Sequence, residues 1–191
     1  MPKIILASTS PRRKELLKQI GLDFTAVTSD YEEDMTINKK PKELAKYLSN
    51  GKAMAVAKNF SDGIIIAADT FVVMQEKLLG KPHTASVARK MLRQISGKQL
   101  SIITGLTVYD IKNAKKISRA VEAKIFIKKL TDHEINNYVK TGEPLDKAGA
   151  FGVQGVGAVL IRKIEGDYSG IVGLPLYELA TILQKMGVVI L

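Results

Sequence analysis

The first seventeen residues contain an apolar run, a polar turn and a helix start in quick succession, and this order limits the folds open to the chain. Residues 4–7 are typical of a short buried strand, hydroxyl residues fill positions 8–10, and Pro11 suits the first position of a helix. Arg12 and Arg13 then fall in the first helical turn, where unpaired N–H groups and the helix dipole favour negative charge. The segment therefore predicts either a phosphate-binding helix start or two solvated arginines.

Composition restricts the class of protein. The chain has 191 residues, of which 25% are charged, and few aromatic residues, as expected for a globular α/β protein with its own hydrophobic core. The absence of cysteine excludes disulfides, thiolate nucleophiles and cysteine-based zinc sites. We find no apolar stretch long enough to span a membrane and no secretory signal, so we expect a cytoplasmic protein without membrane contact.

The net charge of +10 favours an anionic partner such as nucleic acid, an acidic membrane surface or a polyphosphate. The basic residues are spread along the chain, with no basic tail and no basic stretch interleaved with aromatic residues. Proteins that bind nucleic acid usually concentrate such residues. We therefore expect a small polyphosphate rather than nucleic acid as the partner.

Hydrophobic periodicity predicts one domain over residues 1–191, with a mixed, partly antiparallel sheet flanked by helices. The strands are predicted at 3–7, 23–29, 64–68, 71–74, 99–109, 118–128 and 188–191, with one more before the last helix. The helices are predicted at 11–20, 41–59, 87–95, 131–142 and 175–186.

Asp69 directly follows the apolar run 64–68, so we expect it at the end of a buried strand. A carboxylate there is costly unless it is paired, hydrogen-bonded or bound to a metal, although a turn aspartate would also fit. Glu32 and Glu33 form an acidic pair that is either a solvated loop or a partner for Asp69. Two carboxylates with substrate phosphates would suit Mg²⁺ or Mn²⁺.

Three further segments could bind a nucleotide. Lys52 lies in a predicted helix and Lys81 in a turn, and each is either a surface lysine or a phosphate ligand. The glycine-rich stretch 149–157 would allow close approach to a ligand, but its spacing is not that of a P-loop or a dinucleotide fingerprint. Gln154 within it carries both donors and an acceptor, as reading a base edge requires.

Taken together, these motifs resemble the Maf family of nucleoside triphosphate pyrophosphatases, which is related to the Ham1/inosine triphosphatase group. The resemblance covers nearly the whole chain. It rests on residues 7–13, 32–33, 52–53, 68–70, 80–82, 91–93 with 96–97, 143–155, 165–168 and 172–176.

The resemblance implies hydrolysis of a nucleoside triphosphate to the monophosphate and pyrophosphate with a divalent cation, and a Ham1-like fold with a cleft between two lobes. Residues 146–155 resemble the branch that acts on dTTP and UTP. The alternatives are the sister branch that prefers 7-methyl-GTP, and a nucleotide-binding regulator of septum formation. The family also suggests a homodimer.

Carried over by position, the resemblance makes Asp69 the proton acceptor and, with Glu33, a metal ligand. The expected substrate-binding residues are Ser8, Arg12, Arg13, Lys52, Thr70, Lys81 and Gln154. Among these, the positions of Arg12, Thr70 and Gln154 are associated with substrate choice. Gly51 is a departure, since relatives often carry a longer polar residue there; we expect it to affect only the local rigidity of the helix.

Overall fold

The computed structural model describes residues 2–32, 34 and 37–191, so the predicted metal ligand Glu33 lies outside the described residues. The described residues contain seven strands and six α-helices. The strands are β1 (Ile4–Leu6), β2 (Thr25–Ala26), β3 (Ile64–Met74), β4 (Lys77–Leu79), β5 (Gln99–Asp110), β6 (Lys115–Ile127) and β7 (Ile161–Glu165). The helices are α1 (Pro11–Gln19), α2 (Pro41–Ala57), α3 (Ala85–Ile95), α4 (Asp132–Lys140), α5 (Tyr168–Val172) and α6 (Leu176–Gln184).

The strands form one mixed sheet, which confirms the predicted fold class. They are hydrogen-bonded in the order β2-β1-β3-β5-β6-β7, and β4 also pairs with β3. β1 is parallel to both β2 and β3, whereas β4 on β3 and β7 on β6 are antiparallel. The short link between β5 and β6 joins neighbouring strands, so these two form the predicted hairpin.

The chain divides into two compact units. The first comprises Met1–Thr70, Ile103–Val121 and Ser169–Leu191, and the second comprises Phe71–Ile102 and Glu122–Tyr168. The single domain over residues 1–191 and the cleft between two lobes stay predictions.

In the first unit, α2 packs against the buried side chains of β1 and β3. Ala53 and Val56 contribute to a buried cluster with residues of both strands. Gly105 of β5 allows a close approach of the helix, because a Cβ atom there would lie 2.0 Å from the carbonyl oxygen of Ala45. This contact fixes the height of α2, and therefore of Lys52 on it, above the sheet.

Two predictions about the strands are wrong in an instructive way. Asp69 does not end a strand, because β3 continues from Ile64 to Met74 through the polar pair Asp69–Thr70. The apolar residues 71–73 after that pair are also buried, so they keep the chain in the sheet.

The second wrong prediction is the terminal strand at 188–191. Gly187 has a φ of +78°, and the N–H of Val188 donates to the carbonyl of Leu183 at 3.0 Å, which closes the end of α6. Val188 is buried by this turn, whereas Val189 is 61% exposed and Leu191 is fully exposed. The apolar run 188–191 therefore follows the C-terminal cap of α6 and does not pair as a strand.

Candidate active site

Asp69 lies in the middle of β3, between the part of that strand paired with β1 and the part paired with β4. Ile64–Ile66 pair with β1, and Val72–Met74 pair with β4. Asp69 is 8% exposed, and its Oδ1 atom lies 2.6 Å from Nζ of Lys52 on α2. The structure thus brings the predicted base together with one predicted phosphate ligand, in a partly buried ion pair that offsets the cost of burying the carboxylate.

Arg13, in the first turn of α1, is oriented by three different segments of the first unit. Its Nε donates to the carbonyl of Gly173 at 2.9 Å, Nη1 to the hydroxyl of Ser8 at 3.2 Å, and Nη2 to Oγ1 of Thr70 at 3.4 Å. We call Ser8, Arg13, Thr70 and the Gly173 carbonyl the Arg13 cluster. These three acceptors are neutral, so the bonds orient the guanidinium without cancelling its charge.

The start of α1 is suited to an anion. Pro11 occupies the first turn, which contains no acidic residue, and the side chain of Ser10 does not cap the helix. Arg12 is exposed and Arg13 is half-buried at the same end. The first turn of α1 therefore carries two basic side chains at the positive end of the helix, as the sequence predicted.

The hydroxyl of Thr70 also contacts a residue that the sequence did not single out. Oγ1 of Thr70 lies 2.9 Å from Oγ1 of Thr104 on β5, and Thr104 donates to the carbonyl of Gly170 at 2.8 Å. Thr104 is fully buried. The sequence carries no signal that separates Thr104 from Ser101 and Thr107, the other serine and threonine residues of β5, because the partners of Thr104 lie 34 and 66 residues away.

Lys81 and Gln154 belong to the second unit, where both are exposed. The turn that carries Lys81 is attached to the first residue of the glycine-rich stretch, since the N–H of Gly149 donates to the carbonyl of Gly80 at 3.0 Å. Next to this attachment, Asp146 and Lys147 form an ion pair. The hydrogen bond from Lys147, supported by the charges of Lys147 and Lys81, lowers the pKa of Asp146.

The glycine-rich stretch is held by a carboxylate that sequence reasoning had noted only as part of a motif. Glu143 accepts hydrogen bonds from the Tyr138 hydroxyl at 2.9 Å, the N–H of Val156 at 2.9 Å and the N–H of Gly157 at 3.0 Å. The Tyr138 hydroxyl in turn accepts from the N–H of Gly152 at 3.0 Å. We call these five residues the Glu143 cluster; it encloses the backbone on both sides of Gln154.

Two pKa shifts reflect this arrangement. Burial raises the pKa of Tyr138, and the neighbouring Glu143 raises it further against the lowering effect of the Gly152 N–H. Burial also acts to raise the pKa of Glu143, but the bonds from Gly157, Tyr138 and Val156 outweigh it, so this pKa is lowered. Glu143 is therefore ionised and Tyr138 is protonated at neutral pH.

The glycines of this stretch allow close approach to Glu143 and Tyr138. A Cβ atom on Gly155 would lie 2.7 Å from a carboxylate oxygen of Glu143, and one on Gly157 would lie 2.5 Å from the Tyr138 hydroxyl. The sequence had predicted that glycine would let the backbone approach a ligand. Within the described residues, the groups that the backbone approaches at Gly155 and Gly157 include a carboxylate and a phenol of the same unit.

A divalent cation such as Mg²⁺ needs hard oxygen donors. The residues with described positions include no group of three or more histidine, aspartate or glutamate side chains able to hold a metal ion. Mg²⁺ commonly binds through one or two carboxylates together with substrate phosphates and water. Asp69 is a hard oxygen donor of this type, so the chemistry fits a cation that arrives with a polyphosphate.

Comparison with known proteins identifies the family. The family profile described as "Maf-like protein" matches residues 3–186. The chain belongs to the Maf family. A relative from Methanosarcina barkeri, named dTTP/UTP pyrophosphatase, is 52% identical over 98% of this chain and 96% of its own length. A relative from Thermoanaerobacter sp. with the same name is 48% identical over 96% of each chain.

The family membership confirms the resemblance drawn from the motifs. A solved structure titled "The structure of the Staphylococcus aureus Ham1 protein" aligns with 65% of this chain and 71% of its own, at 14% identity and a TM-score of 0.45. That likeness is too distant to support any statement about the site.

Among the described helices, none is long and apolar enough to cross a membrane.

Proposed function

We propose that this protein is a nucleoside triphosphate pyrophosphatase that converts dTTP and UTP to the monophosphate and pyrophosphate, removing excess or non-standard pyrimidine nucleotides. The observation that carries the proposal is the partly buried Lys52–Asp69 pair, 2.6 Å long, in a chain of the Maf family. The named relatives at 48% and 52% identity support the choice of substrate.

In the proposed reaction, water attacks the α-phosphorus. The new bond joins the water oxygen to this phosphorus, the bond to the oxygen that bridges the α- and β-phosphates breaks, and pyrophosphate leaves. Asp69 accepts the proton of the water or orients it, and Lys52 holds the carboxylate in place.

The positive groups of the first unit would bind the triphosphate. Arg13 is already oriented by the Arg13 cluster, and Arg12 adds a second charge at the start of α1. Such groups stabilise the charge that develops on the departing pyrophosphate. Lys81 is assigned to phosphate and Gln154 to the pyrimidine by family position.

A divalent cation, Mg²⁺ or Mn²⁺, is part of the proposal. Asp69 would hold it, together with Glu33, and when bound it would neutralise phosphate charge and help activate water. Action in the cytoplasm and assembly as a homodimer are further proposals from the family resemblance, to be checked by fractionation of cells and by light scattering of the purified protein.

The decisive experiment measures pyrophosphate release from dTTP, UTP, CTP, GTP, ATP and 7-methyl-GTP, with Mg²⁺ and with chelator. We expect metal-dependent turnover of dTTP and UTP. Asp69→Asn is expected to lower it by about 10²- to 10⁴-fold, the usual contribution of a general base. Asp110→Asn is the matched control, because Asp110 is an equally buried aspartate of the first unit whose bonds to Asn113 serve the β5–β6 turn.

The outcomes separate the alternatives. A preference for 7-methyl-GTP would keep the reaction and overturn the pyrimidine assignment. Wild-type turnover in a folded Asp69→Asn variant would remove Asp69 from the role of base. No turnover of any nucleotide would favour the nucleotide-binding regulator.

A further inference from the structure

A chain of hydrogen bonds runs from Arg13 into the interior of the first unit, and its direction can be determined. Gly170 contributes a carbonyl oxygen, which only accepts, so Thr104 must use its single hydroxyl hydrogen in the 2.8 Å bond to that oxygen. The 2.9 Å contact between the two threonine hydroxyls then requires Thr70 to donate and Thr104 to accept. Thr70 has no second hydrogen.

The same direction explains the contact with arginine. A guanidinium only donates, so Nη2 of Arg13 needs an acceptor at Thr70. Because the hydrogen of Thr70 points toward Thr104, a lone pair of Oγ1 faces Arg13. The order of donation is therefore Arg13 to Thr70 to Thr104 to the Gly170 carbonyl, and every hydroxyl in it both donates and accepts.

We propose that Thr104 is a positioning residue for the phosphate-binding arginine: it fixes the hydroxyl of Thr70 as an acceptor, and Thr70 in turn fixes Arg13. Thr104 is fully buried on β5 and acts only through Thr70. This proposal rests on the proposed function, in which Arg13 binds the triphosphate. It also restricts the role of Thr70, whose position the family resemblance associates with substrate choice: with its hydrogen committed to Thr104, Thr70 does not donate to a base.

The test compares Thr104→Val, which keeps the shape and removes the hydroxyl, with Thr104→Ser, which restores a hydroxyl. The matched control is Thr107→Val, because Thr107 is also fully buried on β5 and its hydroxyl lies 2.9 Å from those of Ser49 and Ser118. Both valine variants lose a buried hydroxyl and leave its partners unsatisfied, so we expect them to lose similar stability.

Kinetics distinguish positioning from packing. We expect Thr104→Val to lower kcat/KM for UTP at least about tenfold, mainly through a higher KM, because a phosphate ligand acts in both the ground state and the transition state. Thr104→Ser should stay within about threefold of the wild type, since a serine hydroxyl can make the same two bonds. The ratio of kcat/KM for UTP over CTP should not change in any of these variants.

Binding of inorganic triphosphate, measured by calorimetry, keeps this test independent of hydrolysis. If the wild type binds triphosphate without hydrolysing any nucleotide, the proposed function fails, yet weaker binding by Thr104→Val alone would still support the positioning role. Equal effects of Thr104→Val and Thr107→Val, a changed UTP-to-CTP ratio, or no triphosphate binding by the wild type would each overturn the proposal.

Discussion

In the Arg13 cluster, one cation donates hydrogen bonds to acceptors from three separate segments of the chain. In the Glu143 cluster, one anion accepts hydrogen bonds from donors that lie close to it in the sequence. Arg13 receives its acceptors from the turn after β1, from β3 and from the turn after α5. Glu143 receives donors from Tyr138, Val156 and Gly157, all within fourteen residues of it.

The two arrangements should respond differently to change. The side chains of the Arg13 cluster are arginine, serine and threonine, which do not titrate near neutral pH, and they depend on regular strands for their positions. The Glu143 cluster depends on a carboxylate, which acid can neutralise, to order a stretch without long helices or strands. We therefore expect the first cluster to be sensitive to packing and the second to charge.

The largest effect on stability is expected in the first unit at the Lys52–Asp69 pair. Lys52→Met leaves the carboxylate of Asp69 without its 2.6 Å ammonium partner and should lower the free energy of unfolding by about 2–4 kcal/mol, somewhat less than for a fully buried pair. The double variant Lys52→Met/Asp69→Asn should recover most of this loss, because no charge then remains. Urea unfolding monitored by circular dichroism provides the measurement.

The exposed pair Arg93–Asp132 is the control for this cycle. Its side chains are 55% and 73% exposed, so Arg93→Met should change stability by less than about 1 kcal/mol. If Lys52→Met were as mild as Arg93→Met, or if the double variant were the less stable of the two, the pair would not be compensating a buried charge.

A smaller but more specific effect is expected at Glu143. In Glu143→Gln, an amide with one acceptor oxygen replaces a carboxylate that accepts three bonds, so we expect a loss of about 1.5–3 kcal/mol. If Gln154 reads the base, the ratio of kcat/KM for UTP over CTP should also fall. Glu165→Gln, at an exposed pair with Lys163, is the control and should alter neither quantity.

The local elements could be predicted from the sequence because their signals are local. Pro11 marks the start of α1, and Thr131 with Glu134 forms a capping box at the start of α4, a helix that the sequence predicted. β3 was divided in two because Asp69 and Thr70 interrupt an apolar pattern, and the ion pair that makes a buried aspartate tolerable comes from Lys52 on another element.

The residues that hold the site residues in place could not be predicted, because their partners are distant in the sequence. Ser8, Arg13 and Thr70 were expected at one site from the family resemblance, and the structure brings them into direct contact. Thr104 is one of three serine and threonine residues in β5, and Glu143 precedes a stretch whose glycines suggested a ligand. In both cases the function of the residue is defined by partners that only the folded chain supplies.

Acid should weaken the Glu143 cluster before the Arg13 cluster. Because the pKa of Glu143 is lowered on folding from an ordinary value of 4.5, its contribution is complete above that value and is lost as pH falls through the folded pKa. Stability measured by urea unfolding should therefore fall below about pH 4.5. The slope should be shallower in Glu143→Gln, whereas Thr104→Val should leave the slope unchanged; equal slopes in all three proteins would contradict this assignment.

The smallest effect is expected at Gly51, where two opposing terms nearly cancel. Alanine in the middle of α2 should stabilise the helix by up to about 1 kcal/mol, since glycine is a poor helix former. A Cβ atom there would lie 2.2 Å from the ring of Tyr31, however, so the ring must move. Gly51→Ala should therefore be slightly destabilising alone and stabilising in a Tyr31→Ala background. The sequence predicted only local flexibility from Gly51. If alanine stabilised both backgrounds equally, the close packing of Tyr31 against Gly51 would have no effect on stability. The first unit would then depend less on packing than the comparison of the two clusters implies.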